Sequence, residues 1–173
     1  MKNNCLIVVD MQNDFISGAL GTMEAQSIVP KVVERINRAK AEGWHIFVTK
    51  DTHFADYHLT MEGEKLPVSH CICGSVGWQL NDDVADALDK YPVNYVHKGA
   101  FGSEDLLDEL NNCTQIEVIG LCTDICVIVN AILIKTRFSE TPIRVDSSCC
   151  AGTTPAMHEA ALKVMRSCQI EVV

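Results

Sequence analysis

IEVIGLCTDICVIVNAILIK, residues 116–135, is the stretch whose reading decides the fold. Ile116 to Ile119 form a short apolar run closed by Gly120, and after a polar break at Thr123 and Asp124 a helical apolar pattern runs to about Lys135. Thr123 or Asp124 can cap that helix. A strand feeding a helix across so short a turn is half of a β–α–β unit. Further strands are expected at Cys5–Val9, Trp44–Thr49, Val93–His97, Ile143–Val145 and Ile170–Val173. Helices are expected over about 28–42, with Pro30 in the first turn and Gly43 past the end, and over about 81–89, before Pro92. Two more run from a Ser103 cap to about Leu110, and from Thr154 and Pro155 to about Arg166. The layout is α/β, parallel strands joined by crossover helices. Residues 50–77 are too polar, and too broken by Gly63, Pro67 and Gly74, for a regular element; loops of that length in a compact domain are usually functional.

A chain of 173 residues suits one hydrophobic core, so a single domain over residues 1–173 is expected. Its 23 acidic against 14 basic residues give a net charge of -9, a field that repels phosphate backbones and anionic membranes. Neither nucleic acid nor a membrane is expected as a partner. Nine cysteines fall short of a small disulfide scaffold. The apolar run Cys5–Val9 ends at Asp10, too short for a secretory h-region, so the expectation is a cytoplasmic protein with mostly free, buried thiols. There is no GxGxxG after the first strand and no GxxxxGK[ST], which removes the dinucleotide and P-loop readings.

Open parallel sheets bind ligands beyond the carboxyl ends of their strands. Those ends carry Asp10, then Asp51 and His53, then His97 and Lys98, then the stretch leading to Cys126. Cys126 falls in the first turn of its helix, where free N–H groups and the helix dipole favour a thiolate. Lys98 would depress its pKa further, and Asp10 could take the thiol proton and return it to a leaving amine. Singly, each has an ordinary explanation: a core cysteine, a solvated lysine, a turn carboxylate. Asp51 and His53, two apart in extended chain, point the same way, and His70 can return across the loop to complete a two-His, one-carboxylate face for zinc, iron or manganese. His58, Glu62 and Glu64 in the same loop are further candidate ligands.

With those residues in hand, the chain resembles the isochorismatase-like cysteine hydrolases, their nicotinamidase branch above all, over nearly its whole length. The resemblance rests on DMQNDF (10–15), DTH (51–53), LPVSHCICGSVGW (66–78), HKGAFGS (97–103) and GLCTDICV (120–127). It implies a three-layer α/β/α, Rossmann-like fold with a six-stranded parallel sheet, and a homo-oligomer. It implies a catalytic triad of Asp10, Lys98 and Cys126. It also implies a cis peptide between Leu121 and Cys122, with the amides of Cys122 and Cys126 as an oxyanion hole. In nicotinamidases, residues matching Asp51, His53 and His70 hold a divalent metal, zinc first among the candidates, which binds the pyridine nitrogen. The implied substrate is therefore a small carboxamide, nicotinamide foremost. Many nicotinamidases carry a Trp where this chain has Pro67, which leaves Phe15 and Trp78 as candidates to face a substrate ring. Two alternatives stand beside this reading: another amide or N-carbamoyl hydrolase of the same superfamily, and a thiol-rich metal-binding or redox-sensing protein without turnover.

Overall fold

The computed structural model describes residues 3–173. Six strands, β1 (Asn4–Val9), β2 (His45–Asp51), β3 (Val93–Lys98), β4 (Gln115–Leu121), β5 (Ile143–Ala151) and β6 (Glu171–Val172), form one wholly parallel sheet in the order β3-β2-β1-β4-β5-β6. Its helices are α1 (Asn13–Ile16), α2 (Met23–Ala41), α3 (Met61–Lys65), α4 (Asp82–Leu88), α5 (Glu104–Glu109), α6 (Ile128–Arg137) and α7 (Pro155–Ser167). β1 is buried on both faces, which explains why it reads as an unbroken apolar run. Its alternate residues feed two cores. Leu6 and Val8 face Val32 and Ile36 of α2 and Val84 and Leu88 of α4. Cys5, Ile7 and Val9 face Leu106 of α5, Ala131 and Ile134 of α6, and Leu162 and Met165 of α7. The result is the expected three-layer α/β/α arrangement.

The sheet order reverses beside β1, because the chain leaves β3 at one edge and returns as β4 on the other flank of β1. A crevice therefore opens beyond the carboxyl ends of β1 and β4. Gly120 makes the pairing of those strands possible: it adopts φ 117° opposite Val9, and a side chain there would collide with the Val9 carbonyl. β4 thus runs through Gly120 to Leu121 instead of ending at it.

Five expectations need correction. Residues 50–77 are not without regular structure: Thr60 accepts from the Gly63 N–H at 3.0 Å and caps the short helix α3. α2 begins at Met23, since Thr22 accepts from the Ala25 N–H at 3.0 Å and caps it, so Pro30 lies inside the helix and not in its first turn. The tertiary burial of Ile28, Val29, Val32 and Ile36 outweighs the hydrogen bond that Pro30 removes. β5 reaches Ala151, because its end is drawn into the sheet by pairing of Cys150 and Ala151 with Gly120 and Leu121. Cys126 sits in a π-helical turn, Thr123–Val127, with no side-chain cap, ahead of α6. Finally, Cys5 and Cys113 are joined in a disulfide, while Cys71, Cys73, Cys122, Cys126, Cys149, Cys150 and Cys168 are free. Among the described residues, no helix is long and apolar enough to cross a membrane.

Candidate active site

Asp10 follows β1, Asp51 and Lys98 close β2 and β3, and Cys126 lies in the turn after β4; all four side chains meet in the crevice. Asp10 adopts φ 48°, a left-handed conformation that Asp tolerates better than most residues. The Thr49 hydroxyl donates to its Oδ1 at 2.6 Å, and the Lys98 ammonium lies 2.7 Å from its Oδ2. The same ammonium donates to Asp51 Oδ1 at 3.2 Å and to Cys126 Sγ at 3.4 Å. The ammonium thus makes two hydrogen bonds and one close ion pair, touching all three groups at once. The triad expected from Asp10, Lys98 and Cys126 is thus assembled, and the peptide between Leu121 and Cys122 is cis.

Electrostatics reverse one expectation. Burial is the largest influence on Cys126 and pushes its thiol well above the usual range, with Asp10 adding to it; Lys98 only partly compensates. Burial also raises Asp10, helped by the charge of Asp51 and opposed by Lys98. For Lys98, burial alone would lower the pKa, but Asp10, Cys126 and Asp51 more than offset it and hold the ammonium charged. Burial thus favours the protonated form of the Cys126 thiol and leaves Asp10 more basic than an ordinary carboxylate.

Asp51 links this trio to the second constellation. Its Oδ2 lies 2.9 Å from His53 Nε2 and 3.5 Å from His70 Nε2, and the three donor atoms fall within 4.8 Å of one another. Glu62 Oε1 lies 3.5 Å from His70 Nε2 and 3.7 Å from His53 Nε2. Tetrahedral coordination with bonds of about 2.0–2.2 Å separates neighbouring donors by roughly 3.3–3.5 Å, close to these spacings. The His70 Nδ1–H donates to the Val68 carbonyl at 2.9 Å, which leaves Nε2 free to ligate. Burial would raise Asp51, yet His53, His70 and Lys98 hold it well below the usual carboxylate range. Two buried carboxylates, Asp10 and Asp51, face one buried ammonium, Lys98, and the imidazole and carboxylate donors beside them suit a divalent transition metal. The residues fit a metal. His58 and Glu64 are exposed and take no part.

A cavity of about 170 Å³ opens onto both constellations; it is lined by Phe15, Leu20, Leu66, Phe101, Ile125, Cys122 and Cys126, with Asp51, His70, Glu62 and Lys65. That volume is below the roughly 300–1,000 Å³ of pockets for drug-sized ligands, so its occupant is small. Phe15 is in the lining, as expected. Trp78 is not: its ring lies under the Lys50 ammonium, 3.1 Å from the centroid, and its Nε1–H donates to Thr52 Oγ1 at 2.9 Å. Several residues escaped the sequence reading. Tyr57 packs edge-on against His53 and His70. Phe101 closes one wall. Gln12 accepts from the Asp51 N–H at 2.7 Å and donates to the carbonyls of Asp51 and Trp78, both at 2.9 Å. Asp14 accepts from the Cys71 N–H at 2.7 Å. The signal for the last two was available, since both belong to the DMQNDF stretch.

Residues 4–173 match the family model for the isochorismatase domain. A solved nicotinamidase from Bacillus subtilis superposes with a TM-score of 0.87 at 27% identity, covering 100% of this chain and 99% of that one. A pyrazinamidase of Pyrococcus horikoshii in complex with zinc gives a TM-score of 0.83 at 28% identity, covering 99% and 98%. A probable inactive nicotinamidase of Arabidopsis thaliana is 28% identical over 179 residues, 96% of this chain and 89% of its own length. That last likeness makes the geometry of the reactive groups, more than overall similarity, the test of turnover.

Proposed function

The chain belongs to the isochorismatase family, and on that premise we propose that it is a metal-dependent cysteine amidohydrolase converting nicotinamide and water to nicotinate and ammonia. One observation carries the reading: Lys98 bridges Asp10 and Cys126 beside a small, largely apolar cavity whose lining includes Cys126 together with Asp51 and His70 of the Asp51–His53–His70 cluster.

Cys126 Sγ attacks the carboxamide carbon as its proton passes to Asp10, whose raised pKa suits it as acceptor. Lys98 offsets the charge developing on sulfur and holds the Asp10 carboxylate in place. The N–H groups of Cys122 and Cys126 donate to the oxyanion. Asp10 then protonates the amide nitrogen, and ammonia leaves a thioester on Cys126. Water attacks the thioester as Asp10 takes its proton, and on collapse the sulfur leaves and recovers that proton. Asp51, His53 and His70 would hold the metal, which when bound supplies a Lewis-acid anchor for a ring nitrogen, with zinc suited to these donors. Phe15 and Phe101 supply aromatic faces for the ring.

A second reading, another small amide or N-carbamoyl compound, gains from the charged Lys65 and Glu62 in the lining, which an unsubstituted pyridine does not call for. The redox-sensing reading draws no support from the buried free thiols: burial pushes Cys149 up to about 11 and Cys122 up to about 12, and raises Cys71 and Cys150 as well. The deciding experiment incubates purified, zinc-loaded protein with nicotinamide and measures nicotinate and ammonia. Product is expected; its absence, with ammonia released from another member of a small amide panel, transfers the function to the second reading.

A further inference from the structure

Asn130 lies in an otherwise apolar stretch of α6, and it is 1% exposed. A buried amide amid apolar neighbours must find partners, and this one uses three of its four hydrogen-bonding positions. Its Nδ2 donates to the Cys126 carbonyl at 2.8 Å and to the Phe101 carbonyl at 3.1 Å, while its Oδ1 accepts from the Ser103 N–H at 3.1 Å. One side chain therefore grips the backbone of the nucleophile and both ends of the segment that follows Lys98 and carries the cavity wall Phe101. Gly102 lies between those two anchor points. A Cβ there would strike the Leu133 and Val129 side chains of α6, so the segment packs closely against that helix.

We infer that Asn130 is a positioning residue that sets the separation between the Cys126 nucleophile and the Phe101 wall of the substrate cavity. It touches neither substrate nor reacting atoms. The bond to Cys126 governs where sulfur stands relative to Lys98 and Asp10, and so bears on kcat. The two bonds to the 101–103 segment govern the width of the cavity, and so bear on KM. The kinetic part rests on the amidase reading; the placement of the sulfur does not.

The test uses the full-length, zinc-loaded protein and three variants. Asn130→Asp keeps shape but has no N–H to donate. Asn130→Ser retains a hydroxyl that can bond the carbonyl four residues back, that of Cys126, but is too short to reach the 101–103 segment. Ile134→Ala opens a void in the core beneath the same helix and controls for lost stability. Two readouts are taken: nicotinamide kinetics, and iodoacetamide labelling of Cys126 relative to exposed Cys73, read by peptide mass. For Asn130→Asp, kcat/KM should fall on the order of 10²-fold, the cost of a misplacement near 1 Å, and Cys126 labelling should change severalfold. Asn130→Ser should recover kcat and labelling towards wild type while KM stays raised. Ile134→Ala should melt lower with both readouts near wild type. The inference is overturned if Asn130→Asp melts lower with unchanged kinetics and labelling, if Ile134→Ala matches its losses, or if Asn130→Ser recovers nothing. Should Asn130→Asp fail to fold, the Asn130→Ser split of KM from kcat and labelling decides alone. Wild type that turns over no amide defeats the proposed function, and labelling, which needs no substrate, then decides the positioning role.

Discussion

The two halves of the site are held in different ways. Asp10 and Lys98 stand at strand ends, so the register of a parallel sheet fixes their separation, while Cys126 follows β4 in a turn whose backbone Asn130 ties to the segment after Lys98. Of the metal-binding face, only Asp51 belongs to a strand. His53, Glu62 and His70 come from the stretch between β2 and α4, held by side-chain to backbone bonds: Gln12 to both sides of Asp51 and to Trp78, Asp14 to Cys71, and an isolated bridge between His53 and Ile72. On the proposed mechanism, two of the three groups that must meet for bond making rest on strand ends, while most of those that would position a ligand rest on a stapled loop. Changes to polar staples should therefore damage the metal face before they damage the trio.

The largest expected effect separates the halves outright. Cys126→Ala should lower kcat on the order of 10⁶-fold, as removal of a nucleophile does, while zinc content measured on the purified protein stays near one equivalent. Loss of zinc in that variant would show that the halves do not assemble independently. His70→Ala should do the reverse. Metal affinity should fall by more than the roughly 10–100-fold that loss of a supporting hydrogen bond costs, and KM should rise far more than kcat falls, with Cys126 still open to alkylation.

A pH profile sharpens the same division. Asp10 must be ionised to accept the thiol proton, and its pKa is raised, chiefly by burial. Activity should accordingly fall with acid at a pH above the ordinary carboxylate range, as protonation of Asp10 removes the base. An acid limb in kcat within the ordinary carboxylate range would contradict the assignment.

How much of this was legible in the sequence follows the same line. The strand ends announced themselves because apolar runs stop abruptly at Asp10, at Asp51 and before Lys98, and the sheet then had little freedom in bringing them together. What escaped depends on tertiary contacts. Pro30 reads as a first-turn residue locally, but Thr22 caps the helix eight residues before it, and the added turn buries Ala25. Cys126 reads as part of an α-helical turn, while the structure winds a π-helical turn there, with the Val127 N–H donating to the Cys122 carbonyl at 3.1 Å. Lys98 was correctly paired with the thiol, yet composition cannot weigh burial against one cation, and burial wins.

Gln12→Leu tests the staples. The change preserves bulk but leaves the Asp51 N–H and two carbonyls without the partner they had, at on the order of 1–3 kcal/mol for each group left unsatisfied. The melting temperature should drop by several degrees and zinc content should fall, with the labelling of Cys126 disturbed less than either. Equal damage to the trio would mean that the loop and the sheet ends are one mechanical unit.

The smallest expected effect concerns Trp78, which the motif places beside a substrate ring and the structure places against Lys50 and Thr52. Trp78→Phe removes the indole N–H bond to Thr52, worth about 0.5–1.5 kcal/mol, and weakens the contact with the Lys50 ammonium. Neither loss reaches the cavity. KM for nicotinamide should therefore stay within about twofold of wild type, a shift of no more than roughly 0.4 kcal/mol in binding, whereas Phe15→Ala, which removes a ring from the lining itself, should raise KM clearly. If Trp78→Phe raises KM as much as Phe15→Ala does, the indole swings into the cavity when substrate binds, and the loop half of the site moves in a way that the strand-borne half does not.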